Sequence, residues 1–511
     1  MLENLTTLDD LEAARQSIEE LFAAHAEWFF LPNAGKSLAL KRRDLDLCIS
    51  QGRLLLSFWT ENGNCNARIK SWQWNGDKLL LQVSRRMGAE QPLIELIPRA
   101  SARAIAATIK AARQIRCEQL AQIAYRFQPG AKVERAALSP GVRRGQPGRY
   151  ARIILRLKHQ RVAVTGSVAA SKPSDIDALL SSALLWFTRT SERTRSPHIQ
   201  QLWLVVEPQL VKPATQRIAL LRQGLRDAIR LFRLESSGLE LQPVTCPEIK
   251  ELWKKRTGPF PPLAKTEDSE WTKRTLTLAP NAIDVVRARH GETLRYLGLP
   301  FARVRRLLDT ERVWFGVEGS SRRLLDAKTE QDWQSLLRDL AEHRSANALD
   351  HRHVLYRNVS EAWLESLLRR DITRLDPGLI IAPLHAQFRT ARGGVLGARP
   401  IDLLALRTDG RLVVIELKVS EDRDHVLQGA DYWQRVEAHR RRGHITRAKL
   451  FGERAIRNEP PLVYLVAPTL RFHPSFPTLA RTISSEIEIY RFDINEDWRS
   501  GVRVMRRMRV N

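Results

Sequence analysis

Residues 400–420 read PIDLLALRTDGRLVVIELKVS. Two runs in this stretch, IDLLALRT and RLVVIELKV, are almost continuously apolar. Continuous rather than alternating apolar character marks central strands covered on both faces. A charge inside such a strand is costly unless it is paired or binds a metal, so Asp402, Glu416 and Lys418 require a reason. Glu416 and Lys418 are two positions apart and share a face. The direction of Asp402 depends on the turn. A two-residue turn, Asp409-Gly410, places Leu403 opposite Glu416 and points Asp402 away. A three-residue turn, Thr408-Asp409-Gly410, places Asp402 directly opposite Glu416. The second is a known class, a type I turn followed by a left-handed residue that is usually Gly, and Gly410 stands at that position. The chemistry and the turn residue therefore agree on the register that brings the two carboxylates together.

Two carboxylates a few ångströms apart repel, which raises one pKa unless a cation sits between them. A divalent ion removes that penalty, and hard oxygen ligands suit Mg²⁺ or Mn²⁺. Lys418 would lie beside such an ion, where it can orient a water and a scissile phosphate. The chemistry implied is hydrolysis of a phosphodiester by an activated water.

Asp402, a hairpin, and then Glu416-Leu417-Lys418 together resemble the core of the PD-(D/E)XK, or restriction-endonuclease-like, nuclease superfamily. Within it the pattern is most similar to the archaeal and actinobacterial branched-DNA and mismatch endonucleases, whose core is an I-D-L-L-A strand, a D-G turn and V-I-E-L-K. The resemblance implies a metal held by Asp402, Glu416 and the main-chain carbonyl of Leu417. It also implies an upstream helix carrying a Glu, here Glu361 or Glu365, one helical turn apart on one face. The order E-x-x-L from Glu361 to Leu364 favours Glu361. A downstream helix would supply Gln428 and Tyr432, again one turn apart. The likeness covers roughly residues 356–470, under a quarter of the chain. Fold and activity are separate inferences, because the superfamily contains inactive members.

Outward from this core, the C-terminal unit is predicted to run from a helix at 360–372 through IIAPLHAQF and the Gly-rich RTARGGVLGARP. After the hairpin come a helix at 424–441, LVYLVAP at 462–468 and IEIYRF at 487–492. The region upstream repeats this order. It runs from a helix near 102–127 through the loop SPGVRRGQPGR at 139–149 to the hairpin YARIILRL and RVAVTGSV. A helix at 174–190, LWLVVEP at 202–208 and a helix at 212–234 follow. An internal duplication would explain the repeat, with Thr165 and Ser167 where the second copy has Glu416 and Lys418. Residues 8–30 read as one amphipathic helix. Residues 38–98 read as an antiparallel β unit with turns at Asn62-Gly63 and Asn75-Gly76. RTGPFPPLAK at 256–265 reads as a linker, with a strand at 312–317 and a helix at 329–343 beyond it. The expected fold is thus α/β and multidomain. Residues 1–100 form a small N-terminal β unit with its helix, and 101–240 an α/β domain that is a degenerate nuclease-like copy. Residues 241–345 form a mixed connector, and 346–511 a restriction-endonuclease-like mixed sheet flanked by helices.

The chain has 511 residues and a formal net charge of +26. Such a field attracts polyanions, nucleic acid first. In the predicted helix 212–234, Arg222, Arg226, Arg230 and Arg233 fall at helical spacing and would form a stripe able to track phosphates. Arg303, Arg305 and Arg306, then Arg440–Arg442, then Arg503, Arg506, Arg507 and Arg509, are further basic clusters. Trp59, Trp72 and Trp74 in the β unit suit core packing better than base stacking. The four cysteines, Cys48, Cys65, Cys117 and Cys246, form no C-x-x-C pair, which argues against structural zinc and fits a reducing cytoplasm. No apolar run approaches the ~20 residues of a membrane span, and the acidic N-terminus lacks a signal pattern. The expectation is a cytoplasmic, Mg²⁺- or Mn²⁺-dependent endonuclease acting on nucleic acid, DNA foremost. A homodimer is one arrangement that would let it cut two strands. The alternative is a nucleic-acid-binding protein with a nuclease fold and little turnover.

Overall fold

The computed structural model describes the chain apart from residues 1–2, 6, 26, 32–37, 61–62, 76–77, 85–91, 99–101, 142–146, 159, 194–197, 236–239, 255–257, 259–267, 289–290, 308–309, 318–321 and 389–399. Its tertiary contacts define two units. The first comprises Met1–Asp175, Thr194–Val211 and Phe232–Pro243; the second comprises Ile176–Arg193, Lys212–Leu231 and Val244–Asn511. Among the described residues the architecture is multidomain α/β with four sheets. Among the described residues, no helix is long and apolar enough to cross a membrane.

The first unit opens with β1 (Glu3–Asn4) and α1 (Leu8–Ala24), whose N-terminus is closed by a reciprocal capping box between Thr7 and Asp10. The helix stops short of the predicted residue 30. Glu27–Leu31 instead form β2, because the aromatic run Trp28-Phe29-Phe30 fits a pleated surface, and Trp28 packs edge-on against Phe22. Strands β3 (Leu38–Lys41), β4 (Leu45–Ile49), β5 (Leu54–Thr60), β6 (Gly63–Trp74), β7 (Leu79–Ser84) and β8 (Leu93–Pro98) complete an antiparallel sheet ordered β3-β2-β8-β7-β6-β5-β4, with β1 on β6. Its apolar face takes Leu11, Ala14, Ile18 and Phe22 of α1, and Trp72 and Trp74 pack against that core.

A second sheet follows α2 (Ala102–Phe127). It holds β9 (Lys132–Pro140), β10 (Pro147–Arg156), β11 (Arg161–Ser167), β12 (Ile199–Val206), β13 (Ile229–Leu234) and β14 (Leu241–Val244), in the order β14-β13-β12-β11-β10-β9. The ends of the predicted loop 139–149 belong to strands β9 and β10. The predicted helix 212–234 is broken. The structure has α4 (Pro208–Ala219), α5 (Gln223–Ala228) and then β13, which takes its place in the sheet between β12 and β14.

The second unit contains α3 (Ile176–Arg193) and most of α4. It then builds an antiparallel five-stranded sheet from β15 (Ile283–Ala288), β16 (Gly291–Tyr296), β17 (Leu299–Leu307), β18 (Thr310–Phe315) and β19 (Arg323–Leu324). Helices α6 (Glu270–Leu278), α7 (Glu330–His343) and α8 (Val354–Arg357) accompany it. The predicted linker 256–265 lies outside the described residues except for Gly258.

The last sheet follows α9 (Ser360–Arg370) and runs β20-β21-β22-β23-β24-β25. Its strands are β20 (His385–Phe388), β21 (Ile401–Leu406), β22 (Leu412–Leu417), β23 (Leu462–Pro468), β24 (Ile489–Ile494) and β25 (Val504–Arg509). Helices α10 (His425–Arg441), α11 (His444–Arg447) and α12 (Phe476–Ala480) lie between them in sequence. β22, β23 and β24 are parallel and the outer pairs antiparallel, so the sheet is mixed. Leu403, Ala405, Val413, Ile415 and Leu417 share a core with Trp363, Leu364 and Leu368 of α9. Leu404, Leu406, Leu412 and Val414 share another with Tyr432 and Val436 of α10. The two central strands are therefore covered on both faces, as their unbroken apolar runs require. Most of the Gly-rich loop before β21 lies outside the described residues.

Arg344 fixes α9 against the five-stranded sheet. Its fully buried guanidinium donates to the carbonyls of Tyr296 (2.9 Å), Leu297 (2.8 Å), Leu355 (2.6 Å) and Asn358 (2.8 Å). Those acceptors come from β16, the turn after it, and the chain entering α9. The chain leading into α9, which carries Glu361, is thereby tied to the sheet.

Candidate active site on the β21–β22 hairpin

The hairpin turn settles the register. Arg407 N–H donates to Arg411 O at 2.9 Å and Gly410 N–H to Arg407 O at 2.9 Å, so the loop is Thr408-Asp409-Gly410. Gly410 has φ +86°, and a Cβ there would meet Ala455 O at 2.8 Å, so both conformation and space require glycine. The ladder pairs Leu406 with Leu412 and Leu403 with Ile415. One step further, the same register puts Asp402 opposite Glu416. The regular ladder ends there, and the Leu417 N–H is taken by Asp402 Oδ2 at 2.9 Å instead of by backbone.

Glu416 is 1% exposed. Its Oε1 accepts from Lys418 Nζ at 2.7 Å, while its Oε2 is buried without a hydrogen-bond partner. Burial, and after it Asp402, push the Glu416 carboxyl up to about 8. Burial also pushes Asp402 up to about 6 against the pull of Lys418 and the Leu417 N–H, with Glu365 and Glu361 adding to the rise. Burial lowers the Lys418 pKa, but Glu416, Glu361 and Asp402 outweigh it, raise the pKa above the usual lysine value and hold the ammonium charged. The result is two mutually repelling carboxyls beside one buried cation, with one carboxylate oxygen left over.

The upstream glutamates divide their tasks. Glu361 Oε2 lies 3.9 Å from Lys418 Nζ, and burial raises its pKa. Glu365 is buried and faces Arg295 of β16 at 4.0 Å. From α10, Gln428 is buried with its Oε1 unpartnered. Tyr432 is buried one turn on, with the Arg435 guanidinium 4.5 Å over its ring. Burial, then Glu416, raise the Tyr432 hydroxyl pKa and keep it a proton donor.

Two participants carry no sequence signal strong enough to single them out. His425 is buried and its Nε2–H donates to Glu416 O at 3.2 Å. Burial, then Lys418, lower its pKa to about 3, so it is neutral at pH 7. Asp422 stands 3.8 Å from Lys418 Nζ; its spacing four residues after Lys418 was visible, but not its proximity.

The donor set fits a hard divalent cation. Asp402 and Glu416 lie together, Glu416 Oε2 is orphaned, and an extended residue points its N–H and C=O the same way, so the Leu417 carbonyl faces the Asp402 side with its N–H. Asp402 and Glu416 are the two carboxylates that face each other across the hairpin. Among the described residues there is no cluster of three or more His, Cys, Asp or Glu able to hold a metal. Beside Glu361 and Val419 opens a cleft of about 620 Å³, walled by Arg357, Arg471, Trp498 and Arg499.

The predicted phosphate-tracking stripe does not form. Arg222 caps α5 and its Nε donates to Ile483 O. Arg226 binds Gln223 and Ala219 O, and Arg230 and Arg233 lie on β13, with Arg233 bonded to Gln242. Helical spacing was coincidental there because the helix ends at Ala228. No family model, curated protein or solved structure matches this chain.

Proposed function

We propose that the chain is a metal-dependent endonuclease that hydrolyses phosphodiester bonds of nucleic acid, DNA foremost, with a restriction-endonuclease-like C-terminal domain. The observation that carries the reading is the pair Asp402 and Glu416 on opposed positions of one hairpin, with a free Glu416 oxygen and a charged Lys418 at 2.7 Å. Mg²⁺ or Mn²⁺ bound by Asp402, Glu416 and the Leu417 carbonyl would supply a more acidic water and neutralise phosphate charge. Lys418 Nζ holds a scissile phosphoryl oxygen and offsets the charge that grows on it. The water oxygen bonds to phosphorus, the ester P–O bond breaks, and the proton the water releases balances the one the leaving oxygen takes up. Glu361 and Asp422 keep the Lys418 ammonium oriented. His425 fixes the Glu416 main chain through its carbonyl. Gln428 and Tyr432 offer hydrogen-bonding groups from α10. The net charge of +26 suits a polyanionic substrate, and the scattered thiols suit a reducing cytoplasm.

Supercoiled plasmid and single-stranded DNA incubated with Mg²⁺ or Mn²⁺, beside Glu416→Ala, Lys418→Ala and an EDTA control, test the proposal. Cleavage by the unaltered chain alone, abolished by EDTA, is the expected result. Salt-dependent binding by all three proteins without cleavage would replace it with the reading of a catalytically silent nucleic-acid-binding protein.

A further inference from the structure

We infer that the β9–β14 sheet is a catalytically silent copy of the β20–β25 sheet, so that each chain carries one phosphodiesterase centre and cuts one strand per encounter. The single-cut consequence rests on the function proposed above; the silence of the first copy rests on geometry alone.

The two sheets run in the same order, each from a helix, through three consecutive strands, a second helix and a returning strand. β9–β10 and β20–β21 are both antiparallel, as are β10–β11 and β21–β22, while β11–β12 and β22–β23 are both parallel. Registers agree as well. The first hairpin pairs Arg156 with Arg161 at its closed end, the second Leu406 with Leu412. Four residues on from Arg161 is Thr165, paired with Arg152; four residues on from Leu412 is Glu416, opposite Asp402. Faces agree too. Val162 and Val164 share a core with Leu120 and Ala124 of the preceding helix, as Val413 and Ile415 do with Leu364 and Leu368. Thr165 and Glu416 thus both point away from the helix that opens their copy.

At the three positions that make the site, the first copy has Arg152 for Asp402, Thr165 for Glu416 and Ser167 for Lys418. The two hydroxyls are spent locally: Thr165 Oγ1 donates to Ala151 O at 2.7 Å, and Ser167 Oγ to Ala169 O at 2.7 Å. A guanidinium and two hydroxyls with internal partners give a divalent cation no carboxylate to bind. The buried Glu416 and Lys418 of the second copy, whose charges cost stability, correspond here to the neutral Thr165 and Ser167, and Asp402 corresponds to a group of opposite charge, Arg152.

Two measurements test the inference. The first follows supercoiled plasmid under limiting enzyme. Open circles should accumulate at a rate proportional to enzyme concentration, with linear DNA arising only after a lag. Linear and open-circular products rising together from the start, or a rate growing with the square of concentration, would overturn it. The second titrates Mn²⁺ binding by loss of the free-ion EPR signal, and reads no activity. Glu416→Gln should abolish saturable binding, with circular dichroism confirming the fold. Saturable binding left in that variant would place a second site elsewhere in the chain and overturn the inference. A chain that binds Mn²⁺ only through Glu416 yet cleaves no DNA would retain the silent copy and sink the proposed function instead.

Discussion

Replacing Glu416 by Gln preserves volume and removes the charge. In the metal-free protein this carboxyl is pushed from 4.5 up to about 8 by burial and by Asp402. The folded state therefore holds the proton more tightly than the unfolded chain. Below pH 4.5 both states are protonated and nothing is lost. As pH rises from there towards 8, the unfolded chain ionises first and the folded state loses stability; beyond 8 the loss levels off. At about 1.4 kcal/mol per pH unit the window corresponds to a loss of about 5 kcal/mol at most, and Lys418 and local relaxation reduce it to roughly 2–5. A chain with four sheets does not unfold in one step, so the readout must be local. The suitable assay is hydrogen exchange of peptides spanning Ile401–Leu417 in EDTA, corrected for intrinsic rates. Protection in the unaltered chain should fall between pH 5.5 and 8.5. The Gln variant should keep only the weaker dependence due to Asp402, whose carboxyl is pushed up to about 6. Mn²⁺ at a hundredfold over its Kd should restore about 2.7 kcal/mol of protection to the first protein and none to the second. A variant that retained the full pH dependence, or was protected by Mn²⁺, would refute the argument.

Lys418→Met should leave Mn²⁺ binding in place and lower plasmid cleavage by about 10²–10³-fold, the usual loss when one charge-stabilising donor is removed; an unchanged single-turnover rate would rule out its role. Gly410→Ala should destabilise the hairpin by about 1–2 kcal/mol, since φ is +86° and the new Cβ would press on Ala455 O, and local exchange would show it; unaltered protection would refute the turn assignment. Arg217 is buried between Asp177 of α3 and Asp431 of α10, and these partners hold its pKa above the usual range despite burial. Arg217→Met should cost about 3–5 kcal/mol in denaturant unfolding of this unit, because the buried Asp177 loses its cation while Asp431 keeps Arg435 at 3.1 Å; a loss below 1 kcal/mol would contradict that. Arg344→Leu leaves four backbone carbonyls without their donor and should cost at least 3 kcal/mol, with cleavage falling as Glu361 is displaced; wild-type melting would exclude this anchoring.

The hairpin was legible because its signals are local. Unbroken apolar runs identified two-sided burial, and Gly410 selected the turn that decides which way Asp402 points. The repeated order of elements was legible for the same reason, since each element has its own periodicity. What failed depended on distant partners. Arg222, Arg226, Arg230 and Arg233 have helical spacing, yet Ile229–Leu234 is a strand because β12 and β14 flank it in the sheet. The end of the chain read only as a basic cluster, yet Val504–Arg509 is an edge strand on β24. There Arg507 pairs with Asp376 at 3.4 Å and Arg509 with Glu488 at 3.7 Å. Arg440 and Arg441 likewise both pair with the buried Glu437. Much of the basic charge thus has structural partners that composition cannot show. The contact of His425 with a main-chain carbonyl leaves no trace in the sequence, because the acceptor is the same for every residue type.

The most direct test is the position of a bound ion. Crystals soaked in Mn²⁺ should give an anomalous peak within about 2.0–2.3 Å of carboxylate oxygens from both Asp402 and Glu416 and of the Leu417 carbonyl. An empty hairpin under saturating Mn²⁺, or a peak that Glu416 does not touch, would contradict the account.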